Sequence, residues 1–154
     1  MLENNVVVVT GGAGLIGQGF VKTIIEQNGI AIIADIDKEI GNKVKSQLSK
    51  ELKTKNIDFV QLDITCKKSL KNCIKYLDKK YKRIDALVNN AYPRNSNYGK
   101  HFFDVKYNDF MENLGLNLGG YFITSQQFSK YFQKQSYGNI INISSIYGVV
   151  APKF

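Results

Sequence analysis

The sequence predicts an α/β fold, a doubly wound parallel sheet with strand order 3-2-1-4-5. Three observations lead there. Five short apolar runs alternate with four longer stretches of helical periodicity, the connections are short, and neither of the two prolines falls inside an element. A chain that passes repeatedly from strand to helix to strand makes right-handed crossovers, which set the strands parallel in one sheet.

The elements follow in order. NVVVVT (residues 5–10) is a continuous branched-aliphatic run, the pattern of a strand buried on both faces. Residues 14–28 carry Leu15, Phe20, Ile24 and Ile25 at helical spacing and stop at Asn28-Gly29. IAIIAD (30–35) is the second strand. A Lys-rich helix over 38–54 follows, with Ile40, Val44, Leu48 and Leu52 four apart. IDFVQLD (57–63) is the third strand, and Leu70, Ile74 and Leu77 define a helix over 67–81. IDALVNN (84–90) is the fourth. A polar loop (92–100) precedes one long helix over 107–134, and NIINIS (139–144) is the fifth strand. No repeat, linker or low-complexity tract divides the 154 residues, so they form one domain.

Composition narrows the function classes. The formal charge is +8, yet residues 38–83 hold 14 Lys or Arg against 5 Asp or Glu, a net +9. These lysines are interspersed with Asn, Ser and Gln on two amphipathic helices, and only Arg83 and Arg94 are arginines, the residue that reads base edges best. Solvated helix faces are expected there and no nucleic-acid partner. No run approaches the roughly 20 apolar residues that cross a bilayer, and MLENNVVVVT lacks a basic start, so no membrane association and a cytoplasmic location are expected. Cys66 and Cys73 form no CxxC pair and His101 stands alone, so no metal site is expected.

Strand one runs into TGGAGLIG, Thr10 to Gly17, where Gly11, Gly14 and Gly17 have the spacing GxxGxxG. A glycine loop between a strand and a helix suits a dinucleotide pyrophosphate. Gly11 permits the tight turn, Gly14 lets backbone approach the anion, and Gly17 lets the helix pack closely. The amides opening the helix, from Leu15 and Ile16 to Gly17, would receive the phosphates. Asp35 ends strand two 18 residues later, placed to accept hydrogen bonds from both adenosine-ribose hydroxyls, with Ile36 beside it. No Arg or Lys lies in the glycine loop to hold a 2′-phosphate, so NAD is expected rather than NADP. A helix-cap role for Asp35 is the alternative, one that Asp37 can fill as well.

TGGAGLIG, Asp63 after strand three, NNA at 89–91, NLGG at 117–120 and NISS at 142–145 together resemble the short-chain dehydrogenase/reductase family, in family order. The resemblance implies a Rossmann-like domain in which Asp63 holds the adenine amino group and Ile64 flanks the ring. It also implies that Asn90 and Ala91 back the adenosine ribose, Asn117 orients a proton-relay water from a helix kink, and Ser145 hydrogen-bonds the substrate oxygen. A turn role for Asn90, a plain helix role for Asn117 and a cap role for Ser145 are the structural alternatives. Two departures stand out. The glycine spacing resembles the branch with nucleotide-sugar epimerases and dehydratases, and Tyr92 replaces the usual glycine after NNA. A looser likeness to a sugar-pathway member implies a small-molecule substrate that is a sugar or sugar derivative.

In that family the serine works with a Tyr-x-x-x-Lys pair on the next helix. The only Tyr-x-x-x-Lys within residues 1–154 is Tyr76 with Lys80, a chance match on the sheet's flank; Tyr147 has Ala151 four residues on. The sequence is therefore expected to be the N-terminal part of a longer enzyme, truncated after strand five and inactive alone. The full-length protein would be a homodimer or homotetramer. The rival expectations are an epimerase or dehydratase with tightly held NAD, a dinucleotide-binding protein without catalysis, and a nucleic-acid binder.

Overall fold

Val6 to Thr10 are five consecutive buried residues, and they form the central strand β1 (Val6–Thr10) of a five-stranded parallel sheet. The structure, a computed structural model, describes residues 1–150. Around β1 lie β2 (Ile30–Asp35), β3 (Ile57–Gln61), β4 (Ala86–Asn89) and β5 (Asn139–Asn142), in the order β3-β2-β1-β4-β5. The sequence-derived strand order is thus the observed one, and each strand except β2 is one to three residues shorter than its apolar run.

Alternation along β1 explains both layers. Val7 and Val9 point to the face covered by α1 (Leu15–Glu26) and α2 (Lys38–Glu51), where they join Val21, Ile24, Val44 and Leu48. Val6 and Val8 point to the other face, with Leu70 and Leu77 of α3 (Lys67–Tyr81) and Phe128 and Phe132 of the last helix. A strand covered on both sides can be apolar at successive positions, as this one is from Val6 to Val9. The lysines of α2 and α3 are mostly on the outer faces, as the sequence requires.

The expected long helix is interrupted, a correction to the sequence-based element. It consists of α4 (Tyr107–Leu114), a π turn over Gly115–Gly119 and α5 (Gly120–Gln135). Gly115, Gly119 and Gly120 weaken the α-helical ladder there, and a π turn inserts one extra residue per turn.

The Tyr76–Lys80 pair lies on the sheet's flank, as expected, and has a structural task there. Asp58, 4% exposed in edge strand β3, accepts from Lys80 Nζ at 2.6 Å, Lys45 Nζ at 2.8 Å, Tyr76 at 3.0 Å and Tyr81 at 3.2 Å. This cluster ties α2, β3 and α3 together near the start of β3, away from the carboxyl ends of the strands. Burial alone would raise the Asp58 carboxyl, but the lysine, Phe59 amide and Tyr76 hydrogen bonds outweigh it and hold it well below the usual carboxylate range. Lys80, despite some burial, is held above the ordinary lysine range by Asp58, Tyr76 and Tyr81.

β5 lies at the sheet edge with Ile141 46% exposed, and Phe110, Leu114, Leu118 and Phe122 are exposed along α4, the π turn and α5. Among the described residues no helix is long and apolar enough to cross a membrane.

Candidate cofactor and substrate site

The strand order reverses between β1 and β4, and a crevice opens at their carboxyl ends. Thr10 closes β1 there and is fully buried. Its hydroxyl accepts the backbone amides of Asn90 at 3.0 Å and Ala91 at 3.1 Å, joining the two loops that floor the crevice. Asn90 completes the junction by donating from Nδ2 to the Thr10 carbonyl at 2.9 Å and more weakly to Gly11 at 3.3 Å. Asn90 therefore has the turn role considered for it, and through that role it fixes the glycine loop.

Two of the three GxxGxxG glycines have no room for a side chain. Gly11 adopts φ +62°, and a Cβ there would stand 2.8 Å from Ala91 Cα. A Cβ on Gly17 would collide with the Gly11 carbonyl oxygen and lie 2.7 Å from Gly12 Cα. Gly14 is the N-cap of α1, with no side chain capping it and no acid in the first turn. The amides of Leu15, Ile16 and Gly17 at the helix start thus remain available to an anion, beside exposed Leu15 and Ile16 side chains. This cradle fits a pyrophosphate.

Asp35 stands across from the loop. Its Oδ2 accepts the Ala13 amide at 3.1 Å, and Oδ1 lies 3.3 Å from the Asp37 amide. The helix-cap alternative falls to Asp37, whose Oδ1 accepts Glu39 and Ile40 amides at 2.9 Å each. Asp35, Ile36, Asp63, Ile64, Ala91 and Gly11 share one chamber of about 360 Å³ with Tyr92 and Pro93. Asp63 is itself held, accepting the Thr65 amide at 2.8 Å and hydroxyl at 2.6 Å. A ribose-and-base pair fits this chamber, whose lining combines the Asp35 and Asp63 carboxylates with apolar side chains.

A second chamber, about 600 Å³, continues past Tyr92 and is lined by Ile16, Asn90, Asn117, Ser144, Ser145 and Tyr147 among others. Two expected catalytic residues, Asn117 and Ser145, thus meet at one cavity although they are 28 positions apart. Asn117 lies in the π turn. Amides of a π turn reach back five residues, as the Gly120 amide does to Gly115 O. Asn117 Nδ2 donates to Asn113 O at 2.9 Å and to Pro93 O at 2.9 Å, while among the described residues its Oδ1 is buried without a hydrogen-bond partner. A buried acceptor of this kind is a ready seat for a water. Ser145 Oγ accepts the Tyr147 amide at 3.2 Å, capping a 3-10 turn over Ile146–Gly148. Among the described residues no acceptor takes its hydroxyl proton, which can be donated to a ligand.

The decisive comparison follows from this geometry: the sequence profile described as short chain dehydrogenase matches residues 5–154. The chain belongs to the short chain dehydrogenase family. It is 46% identical over its whole length to post-translational flagellin modification protein A of Campylobacter coli, covering 60% of that protein. It is 30% identical over 94% of its length to L-fucose dehydrogenase of Bos taurus, covering 50% of that enzyme. An NAD+-bound short chain dehydrogenase from Leptospira borgpetersenii superposes with a TM-score of 0.81 at 27% identity, over 99% of this chain and 56% of that one. The chain thus spans between half and three-fifths of these relatives.

Sequence reasoning missed several residues of this short-chain dehydrogenase site. Thr10 gave no signal beyond opening the glycine motif, and its role depends on β4 lying next to β1. Tyr98 and Tyr121 line the second chamber from segments with no motif. Tyr121 is pushed above the ordinary phenol range by burial.

Proposed function

We propose that residues 1–154 form the NAD-binding part of a cytoplasmic oxidoreductase that interconverts a hydroxyl and a carbonyl on a sugar or sugar derivative. The observation that carries this reading is Asp35. Its carboxylate stands in the first chamber, braced by the Ala13 amide of the glycine loop, where ribose hydroxyls can donate to it and a 2′-phosphate would be repelled. The name of the Bos taurus relative, L-fucose dehydrogenase, supports a sugar substrate.

NAD, when bound, supplies the hydride acceptor. Everything else falls to side chains. The amides of Leu15, Ile16 and Gly17 bind the pyrophosphate, with Gly11 and Gly14 giving it access. Asp35 and Ile36 hold the adenosine ribose. Asp63 and Ile64 hold the adenine, and Asn90 and Ala91 back the ribose from below. Ser145 donates its free hydroxyl proton to the substrate oxygen, and Asn117 Oδ1 seats a water that passes a proton to solvent.

Proton transfer to the substrate oxygen needs an acid whose pKa lies near neutrality, and phenol at about 10 needs a cation beside it to serve. Tyr76 and Lys80 are committed to Asp58, so residues 1–154 alone bind cofactor without turnover, and the acid comes from the rest of a longer homo-oligomeric enzyme. Titrating the protein with NADH and NADPH by fluorescence tests the reading. Saturable NADH binding at least tenfold tighter than NADPH is expected, and equal affinities would sink the NAD assignment.

A further inference from the structure

Tyr92 is shared by both chambers of the cleft. Its ring meets Tyr98 edge-on, with centroids 5.9 Å apart, and the two hydroxyls are 3.0 Å apart in a hydrogen bond. The Arg94 guanidinium lies 5.9 Å from the Tyr92 ring and 5.3 Å from that of Tyr98. Both rings are exposed, at 59% and 49%.

The segment carrying these rings is tied down by asparagines. The Asn95 amide donates to Asn113 Oδ1 at 3.0 Å, Asn113 Nδ2 returns a bond to Asn95 Oδ1 at 3.0 Å, and Asn97 Nδ2 donates to Asp109 at 2.8 Å. Asn117 takes the Pro93 carbonyl at 2.9 Å. An exposed aromatic pair is thus held against the same distorted helix that carries Asn117. Rings kept for packing would be buried, and residues kept for solubility would be neither aromatic nor buttressed.

The chemistry of the pair is specific. Two phenols joined by one hydrogen bond use one of their two protons, leaving one O–H and several lone pairs for a ligand. The bond to Tyr98 raises Tyr92 above the ordinary phenol value; either hydroxyl can be the donor in that bond, and the other then offers its proton to a ligand. A ligand with neighbouring hydroxyls can both accept and donate here, and its C–H faces can pack on the rings.

We propose that Tyr92 and Tyr98 form the substrate-recognition wall of the cleft, selecting polyhydroxylated substrates over plain alcohols of similar size. This rests on the oxidoreductase reading above and adds the residues that set specificity. The experiment uses the protein at its full encoded length and compares it with Tyr98→Phe and Tyr92→Phe. L-fucose and xylitol are offered with NAD, with cyclohexanol as the hydroxyl-poor control. Each lost hydroxyl is expected to raise KM for the polyols about 3- to 10-fold, with kcat within about twofold and cyclohexanol KM unchanged, and with NADH affinity unchanged in Tyr98→Phe, whose ring lines the second chamber and not the first. Polyol KM values that stay put, or that rise no more than that of cyclohexanol, overturn the wall.

A second readout needs no turnover: the dissociation constant of L-fucose from the NADH-loaded protein, by NMR titration. Weaker binding in Tyr98→Phe by the same factor supports the wall even if no alcohol is oxidised, in which case only the oxidoreductase reading fails. Unaltered binding in that variant, or native protein that takes up neither polyol, overturns the wall itself.

Discussion

Gly17→Ala and Gly19→Ala place the same methyl group two residues apart on one helix, with opposite expected outcomes. At Gly19 nothing lies within 4 Å of the new carbon. Replacing glycine by alanine in an open helical position stabilises by about 0.5–1 kcal/mol. At Gly17 the new carbon would stand 2.7 Å from Gly12 Cα and 2.9 Å from the Gly11 carbonyl carbon, with the Gly11 oxygen closer still. Carbons in contact sit about 3.5–4.0 Å apart, so the loop must retreat by about 1 Å. All three obstacles are backbone atoms, and no flexible side chain can give way. The loop is also tethered, by Gly14 N–H to Gly11 O at 3.0 Å and Gln18 Nε2 to Ala13 O at 2.8 Å. Overpacking of this kind costs about 1–3 kcal/mol. The two variants should therefore differ by about 1.5–4 kcal/mol in urea unfolding. A loop displaced by about 1 Å also loses amide bonds to an anion, at about 1.5–3 kcal/mol each. NADH affinity, followed by fluorescence, should fall at least tenfold in Gly17→Ala and stay native in Gly19→Ala. Native stability and native NADH affinity in Gly17→Ala would refute close packing as the reason for that glycine.

Asp35→Ala should weaken NADH binding about tenfold and narrow the gap to NADPH; an unchanged ratio of the two dissociation constants counts against ribose recognition. Asp58→Asn should destabilise the fold by about 1–3 kcal/mol near neutrality, since two lysines lose a charged partner. The folded Asp58 carboxyl is depressed, so its contribution is present above the unfolded value of about 3.9 and fades as pH falls further. Urea unfolding from pH 7 down to pH 2 should show native and variant stabilities converging at the acid end, and a constant gap would contradict the ion-pair account. Cys73 is buried, its thiol pushed up to about 12 by burial, whereas Cys66 is half-buried. Mass spectrometry after brief thiol labelling at pH 8 should find Cys66 modified first, and equal labelling would show that the sheet opens readily.

Residues 1–154 settled some matters by themselves. The branched run at Val6–Val9 dictates a strand covered on both faces, and alternating periodicity dictates a parallel doubly wound sheet. Gly11 and Gly17 sit where only backbone fits, and Asp35 follows at the end of β2. These are local properties, set by φ/ψ preferences and side-chain spacing along a few residues, so they can be read in one dimension. Other features arise only when distant segments meet. Thr10 became a junction because β4 docks beside β1. Asp58 acquired two lysines because α2 and α3 converge on one edge strand, which also gave Tyr76 and Lys80 a task that their spacing did not reveal. Asn117, in the π turn at Gly115–Gly119, captures carbonyls from Asn113 and from Pro93, the latter 24 residues away. Tyr92 and Tyr98 face each other through a loop whose Asn95 and Asn97 bond to Asn113 and Asp109 of α4. Hydrogen bonds and burial between remote residues carry no periodic trace in the chain, and for that reason the tertiary structure alone decided them.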